Sequence, residues 1–388
     1  MTAIKAEIAE EIRARVTPLR VLHASPTWFA SDSVVGGGER WVDNVMRALD
    51  TAAPDISQAM AAIGAKPRTL LRRRAVIRIL ANERRLESPM AAISSQLWNE
   101  IEPFDIVHVH QSLTDFGAYT ACVAASLGKT VIFTDLGGGS NPVMLNGGLA
   151  MGDAIVSLSR YAHQTAALYD HLPHLIVSGP VDTDVFRPAE RPPTEPAVIC
   201  VSRIMPHKGI DRVIRALPAQ LKLRVVGRVY HEHYRALLES LAEGKNVEFV
   251  HDPTDGQLVD LYQRSTIFVQ ASCTRDVYGT SVPKTELMGL TTIEAMACGL
   301  PVIVSRDGGA LPELITDKRF GSVFSDEHDL TLQLMQHHAG IWPSPGAGQL
   351  ARACAESAYG LRAFGRRLAD FYLTVHRTRL HRQAACGF

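Results

Sequence analysis

Short apolar runs recur along the chain, and helical spacings fill the gaps between them. Arg20–Ala24 is apolar up to Ser25 and Pro26 and predicts a buried strand. A polar loop leads to Gly36-Gly37-Gly38, after which Trp41, Val42, Val45, Met46 and Leu49 repeat with helical spacing. Strand, glycine loop and helix therefore follow one another. Ile106–Val109, Thr130–Thr134, Ala154–Ser157 and Ile176–Ser178 predict further strands, with helical patterns such as Gly117–Leu127 and Arg160–Leu168 between them. Such alternation implies a parallel sheet covered on both faces.

Val181–Pro196 breaks the pattern with Pro188, Pro192, Pro193 and Pro196 and reads as an interdomain linker. A second alternation then begins: Ala197–Ser202, Leu223–Val226, Val247–Val250, Ile267–Gln270 and Val302–Ser305 are its strands. The expected organisation is two doubly wound α/β domains, residues 1–185 and 186–364, followed by a C-terminal helix in 365–388. Ligands are expected in a cleft at the carboxyl ends of the strands. Residues 4–16 read as a polar helix, and Ala355–Leu380 as a basic amphipathic one.

Composition narrows the class. With 388 residues and roughly 150 per domain, two or three domains are expected. Lys+Arg and Asp+Glu both total 40, so the chain lacks the basic excess of a dedicated nucleic-acid binder. Six scattered cysteines include no CxxC pair. Cys122, Cys200 and Cys298 sit among small or apolar residues and read as buried free thiols, which fits a reducing cytoplasm. The N-terminus has no signal-peptide core, and no run approaches the roughly 20 apolar residues that span a bilayer. Any membrane contact is expected to be peripheral. Arg68, Arg72, Arg73, Arg74, Arg78, Arg84 and Arg85 read as the solvated face of a basic helix, with contact to anionic lipid or a phosphorylated acceptor as the alternative.

The richest segment runs from Glu286 to Glu294, eight positions on, and continues Ala-Met-Ala-Cys-Gly-Leu-Pro-Val. Gly289 stands where a loop turns into a helix. Thr291 and Thr292 can cap that helix, and its free N–H groups form an anion site. One carboxylate can accept from sugar hydroxyls and the other from a ribose. On spacing alone, an ordinary helix with solvated acids fits equally well. The segment resembles the E-x7-E signature of glycosyltransferase family 4, retaining enzymes of the GT-B fold. The match covers Glu286, Gly289, Glu294 to Val302, Gly308-Gly309 and Pro312-Glu313. It departs at Met288, where the family commonly has Phe or Tyr, and this bears on the shape of the sugar pocket.

Val201-Ser-Arg203 through Lys208-Gly209 resembles the family's loop whose Arg and Lys hold the donor diphosphate. Fixed cations there stabilise the charge of a departing diphosphate. Gly36-Gly37-Gly38-Glu39 resembles the family's Gly-Gly-x-Glu loop, which lines the cleft. It is neither a P-loop nor a complete dinucleotide fingerprint, because no Lys-Ser/Thr follows and Trp41 takes the last glycine position. In Val107-His108-Val109-His110, both imidazoles share one side of a strand. With no carboxylate or third histidine at ligand spacing nearby, a metal is not expected. His108 is expected to pack within the strand, and His110 matches a family histidine beside the donor hexose. Asp182-Thr183-Asp184 has DxD form but matches the family's interdomain Gly-Val-Asp-x-x-x-Phe and reads as structural, with Gly179-Pro180 in place of Asn-Gly. Thr134–Asn141 is a glycine-rich turn that could shape the acceptor side.

The resemblance implies two Rossmann-like domains, with the nucleotide held mainly by the second and the last helix crossing back to the first. It implies transfer of a hexose from a nucleoside-diphosphate sugar to a hydroxyl acceptor of unspecified identity, with retention. Glu294 would bind ribose. Arg203 and Lys208 would hold the diphosphate with the N–H groups of Leu290 and Thr291. Glu286 would fix hexose hydroxyls, His110 would lie beside the sugar, and Gly37 and Gly38 would admit the donor phosphates. No metal and no cofactor is expected beyond the sugar nucleotide, and no nucleic-acid partner. A sugar-nucleotide epimerase or phosphorylase of the same fold, or a non-catalytic sugar-nucleotide-binding protein, are the alternatives.

Overall fold

The computed structural model describes residues 18–28, 36–84, 88–137, 148, 150–166, 170–191, 193 and 195–385. The expected helix at 4–16, residues 138–141 of the glycine-rich turn, and Cys386 lie outside them. Two compact units result: Met1–Ser157 with Ala166–Val177 and Phe364–Phe388, and Leu158–Thr165 with Ser178–Ala363.

The first unit carries an eight-stranded sheet. Its strands are β1 (Arg20–Ala24), β2 (Ser57–Gly64), β3 (Arg68–Arg72), β4 (Ala75–Ala81), β5 (Ile106–His110), β6 (Thr130–Thr134), β7 (Ala154–Ser157) and β8 (His174–Ile176). They lie in the order β3-β4-β2-β1-β5-β6-β7-β8. All neighbours are parallel except β3 and β4. Central strands such as β5 and β6 are buried along their whole length, as β-branched runs covered on both faces should be. The winding direction reverses between β1 and β5. In an open α/β sheet, the crevice at the carboxyl ends of two such strands is the usual ligand position.

The last helix, Leu361–Ala385, belongs to this unit from Phe364 onward. It buries Phe364, Gly365, Leu368, Ala369, Tyr372 and Val375, a stripe at helical spacing. Gly365 is required by proximity: a Cβ there would overlap Ala48 O of the Gly37–Ala52 helix. Further along, Arg379 holds both carboxylate oxygens of Asp153 at 2.8 and 2.9 Å.

The arginine-rich segment is not a helix. Arg68–Arg72 and Ala75–Ala81 form an antiparallel hairpin at the sheet edge, turning at Arg73 with φ 55°. The physical reason is period two: Ala75, Ile77 and Ile79 are buried while Arg78 is exposed. β2 went unexpected because its core is Ala-Met-Ala-Ala, poor in β-branched residues.

The second unit holds a six-stranded, all-parallel sheet: β9 (Ala197–Val201), β10 (Lys222–Val226), β11 (Val247–Val250), β12 (Ile267–Gln270), β13 (Val302–Ser305) and β14 (Gly321–Phe324). The order is β11-β10-β9-β12-β13-β14, so its winding reverses between β9 and β12. Its core gathers Val198, Ile199, Ile210, Val213, Leu223, Val225, Tyr234 and Val269, all fully buried. The proline-rich stretch is partly built into this unit: Val181 exchanges backbone bonds with Tyr359 and Leu361, and Phe186 is buried. Among the described residues, no helix is long and apolar enough to cross a membrane.

Candidate functional site

In the second unit, the residues singled out by sequence converge at the β9/β12 switch point. β9 ends at Val201, and the loop after it carries Arg203 and a single helical turn, Pro206–Lys208. Gly209 closes that turn in the left-handed region, φ 62°, where a Cβ would overlap Ala271 O. This places Lys208 Nζ 2.7 Å from Glu286 Oε2, with only 8% and 18% of the two side chains exposed. Gln270, the last residue of β12, donates to the same carboxylate oxygen at 3.0 Å. Its carbonyl oxygen accepts from the hydroxyls of Thr291 (3.4 Å) and Thr292. Burial pushes the Glu286 carboxyl upward, but Lys208, Arg203 and the Gly289 N–H outweigh it and hold it below the usual range. His207, between these cations, is driven down to about 4, by burial first and then by Lys208 and Arg203.

The helix after Glu286 is Leu290–Ala297. Its N-cap is Gly289 at φ 86°, with no side-chain cap. The expectation that Thr291 and Thr292 cap it is therefore corrected: both lie inside the first turn, and their hydroxyls turn to Gln270. The first ladder donors are Thr292 and Ile293, both to Gly289 O, so the N–H groups of Leu290 and Thr291 have no intrahelical partner. Glu294 lies in the second turn, 1% exposed, and accepts from Tyr262 OH at 3.3 Å. The Gly308-Gly309 turn supports Glu286 from behind. Ala310 N–H donates to Glu286 O at 2.9 Å, and a Cβ on Gly309 would lie 2.5 Å from that oxygen.

Sequence spacing did not point to Gln270 or Tyr262. Each comes from a part of the chain remote from the Glu286–Glu294 segment. The one available signal was Gln270's position as a polar residue ending a buried strand. The two departures from the resembled motif also meet. Met288 is buried, and its sulfur accepts from Gly179 N–H at 3.3 Å. Gly179 adopts φ 98° and would place a Cβ 2.8 Å from Tyr359 O. Asp182 Oδ1 accepts from its own turn, at Asp184 N–H (3.0 Å), a structural arrangement of the DxD.

In the first unit, the β1/β5 switch point holds three fully buried histidines. His23 on β1 is the register partner of His108 on β5, and His110 ends β5 on the same face. Their ligand atoms lie within 4.8 Å of one another, a set that could hold a metal. This corrects the expectation of no third histidine nearby, because spacing along the chain does not report a partner across a strand pair. The hydrogen bonds describe a different object. His108 Nδ1 meets Tyr372 OH at 2.6 Å and its Nε2 meets Thr134 Oγ1 at 2.7 Å, so both nitrogens are taken. His23 Nδ1 and His110 Nε2 bond each other at 3.1 Å. Burial drives all three well below the ordinary histidine range, His23 to about 4. Burial therefore favours the neutral form of all three rings.

Trp41 packs edge-on against His108 and His110. It lies one turn inside the helix Gly37–Ala52, whose N-cap is Gly36. Gly37 borders open space, and Gly38 has only ordinary contacts with Gln111 and Leu136. Glu39 is buried and accepts from Thr27 Oγ1 at 2.7 Å.

Cys200, Cys273 and Cys298 are buried free thiols, whereas Cys122 is exposed, on the outward side of its helix. A cavity of about 590 Å³ lies at the carboxyl end of the Leu290–Ala297 helix, bordered by Pro188, Tyr262, Cys298, Gly299 and Arg352. Neither Arg203, Lys208 nor Glu286 lines it.

Residues 182–334 match the family model described as glycosyl transferases group 1. The chain is 31% identical, over 56% of its length, to a GDP-mannose-dependent alpha-(1-6)-phosphatidylinositol monomannoside mannosyltransferase of Mycolicibacterium smegmatis. It is 28% identical, also over 56% of its length, to a D-inositol 3-phosphate glycosyltransferase of a Mycobacterium species. It spans 61% of the first relative and 53% of the second, less than two thirds of either. Among solved structures, sucrose-phosphate synthase from Thermosynechococcus elongatus aligns with TM-score 0.70 at 18% identity, covering 93% of this chain and all of that one. Anabaena HepE in complex with UDP and glucose aligns with TM-score 0.69 at 14% identity, over 92% of this chain and all of that one. The two parallel-sheet units are those of the GT-B fold, and the group 1 glycosyl transferase match falls on the segment that builds the Lys208–Glu286 site.

Proposed function

We propose that this protein is a retaining glycosyltransferase that moves a hexose from a nucleoside-diphosphate sugar to a hydroxyl acceptor without a metal. The observation that carries the reading is the Arg203–Lys208–Glu286–Gln270 cluster beside the uncapped start of the Leu290–Ala297 helix. Two cations and two N–H groups without an intrahelical partner suit a diphosphate. Glu286, held ionised, is an acceptor-only group suited to hexose hydroxyls. An arriving diphosphate competes with Glu286 for Lys208 and so couples donor binding to the orientation of the carboxylate. Glu294 would reach ribose hydroxyls together with Tyr262. In the reaction, the anomeric carbon's bond to the phosphate oxygen breaks as its bond to the acceptor oxygen forms. The acceptor's proton passes to the departing phosphate. Glu286, already bonded to Lys208 and Gln270, is read as a positioning group and not as a nucleophile, which favours front-face displacement. His110 would stand beside the sugar, and Gly37 and Gly38 would admit the phosphates.

The names of the relatives make GDP-mannose the first donor to test and inositol-containing compounds the first acceptors. We place the activity in the cytoplasm, where such donors are found, and assign no nucleic-acid partner. The test is product analysis with wild type, Lys208→Ala and Glu294→Ala. Transfer should fall about 10²–10³-fold in Lys208→Ala, and NMR of the new linkage should show the donor's anomeric configuration. An inverted product, or variants as active as wild type, would contradict the proposal.

A further inference from the structure

The bond between His23 Nδ1 and His110 Nε2 holds one proton between two neutral rings, so the tautomer of either ring fixes that of the other. Gln58 on β2 decides the direction. It pairs with Val21 on β1, two positions before His23, so the Gln58 and His23 side chains share a face of the sheet as diagonal neighbours. The Gln58 amide orientation is set by its own bonds: Nε2 donates to Met46 O and to Asp50 Oδ1, both at 2.8 Å. Its carbonyl oxygen is buried and has no hydrogen-bond partner among the described residues, and the same is true of His23 Nε2. The Gln58 side chain is also the group that works against burial at the His23 ring. A carbonyl oxygen can only accept, so these two unpartnered atoms can satisfy each other only if His23 Nε2 carries the proton.

We propose that Gln58 and His23 are positioning residues that fix His110 with its proton on Nε2. Gln58 Oε1 accepts from His23 Nε2–H, His23 Nδ1 accepts from His110 Nε2–H, and His110 Nδ1 remains a bare acceptor. That atom is buried and has no hydrogen-bond partner among the described residues. A ring with a bare Nδ1 accepts from a sugar hydroxyl and repels an unprotonated phosphate oxygen. It therefore selects the hexose over the diphosphate as the group beside it. This ligand assignment rests on the glycosyl-transfer reading; the tautomer does not.

The test is long-range ¹H–¹⁵N NMR of the full chain labelled at histidine, without ligand. His110 should show a pyrrole-type Nε2 and a pyridine-type Nδ1, and Gln58→Met should shift His110 toward the other tautomer. In the same variant, KM for the donor sugar should rise about tenfold with kcat within about twofold, the size of one misdirected hydrogen bond. A wild-type His110 protonated at Nδ1 overturns the proposal. So does a Gln58→Met protein whose tautomer and KM are those of wild type. The predicted tautomer in a protein that transfers from no sugar nucleotide would instead remove the functional reading and leave the positioning role standing.

Discussion

Lys208 and Glu286 show how one contact joins stability to chemistry. Removing the lysine leaves a largely buried carboxylate without its cation, which typically costs about 3–5 kcal/mol. Lys208→Ala should therefore lower the melting temperature of the second unit as well as transfer. The Glu286 carboxyl titrates below its unfolded value. Its contribution is present above the ordinary carboxylate range and is lost only as pH falls through the depressed value. Wild type should gain stability over Glu286→Gln across the acid range, from the depressed value up to the ordinary one. Denaturant titration at stepped pH checks this. His23 acts in the same sense as the ion-paired carboxylate, over a higher pH range. Its folded pKa of about 4 lies below the unfolded 6.5, so the unfolded chain takes up the proton first. Stability should fall as pH drops from about 6.5 to about 4, by on the order of 3 kcal/mol for this ring alone. His23→Phe should flatten that slope, and an unchanged slope would show the ring is not buried neutral. Of these residues, Glu286, Lys208 and Arg203 were legible in sequence because each sits in a motif of fixed spacing. His23, Gln58 and Gln270 were not, because their roles arise from neighbouring strands, and hydrophobic period does not state which strands are neighbours.

At the scale of elements, strands rich in Val and Ile between helical patterns could be read directly, and β1, β5, β6 and β9 lie where the pattern predicts. Three kinds of element escaped. β2 is built on alanine. The β3–β4 hairpin hides its alternation under six cations from Lys66 to Arg78. β14 opens on Gly321, where a Cβ would lie 2.9 Å from Ile315, and is too short to announce itself. The hairpin's arginines also have an element-scale use: charges along an edge strand discourage pairing with another sheet. Leu71, 78% exposed on that strand, is its one large apolar side chain turned to solvent. The last helix makes the sharpest element-scale prediction. Gly365→Ala must push the helix away from Ala48 O and loosen Tyr372 from His108. A loss of about 1–3 kcal/mol is expected, as for overpacking, with the His108 NMR signals displaced. Retention of both stability and those signals would contradict the packing described.

At the scale of the molecule, each unit repeats one plan: a parallel sheet whose winding reverses beside its most chemically loaded residues. In the first unit these residues are neutral and buried; in the second they are charged and partly open. The pattern of apolar runs gave the two-sheet architecture, but not the division of labour between imidazoles and ion pairs, which depends on burial. The central claim is that the Lys208–Glu286 cluster holds a nucleoside diphosphate. Calorimetric titration of the intact chain with GDP, UDP and their sugars, in wild type and Lys208→Ala, tests it most directly. One of the diphosphates should bind wild type and, at about 100 times its Kd, stabilise it by about 2.7 kcal/mol, while Lys208→Ala binds at least about tenfold more weakly. Equal binding by the two proteins, or no binding of any of these nucleotides to wild type, would contradict the account.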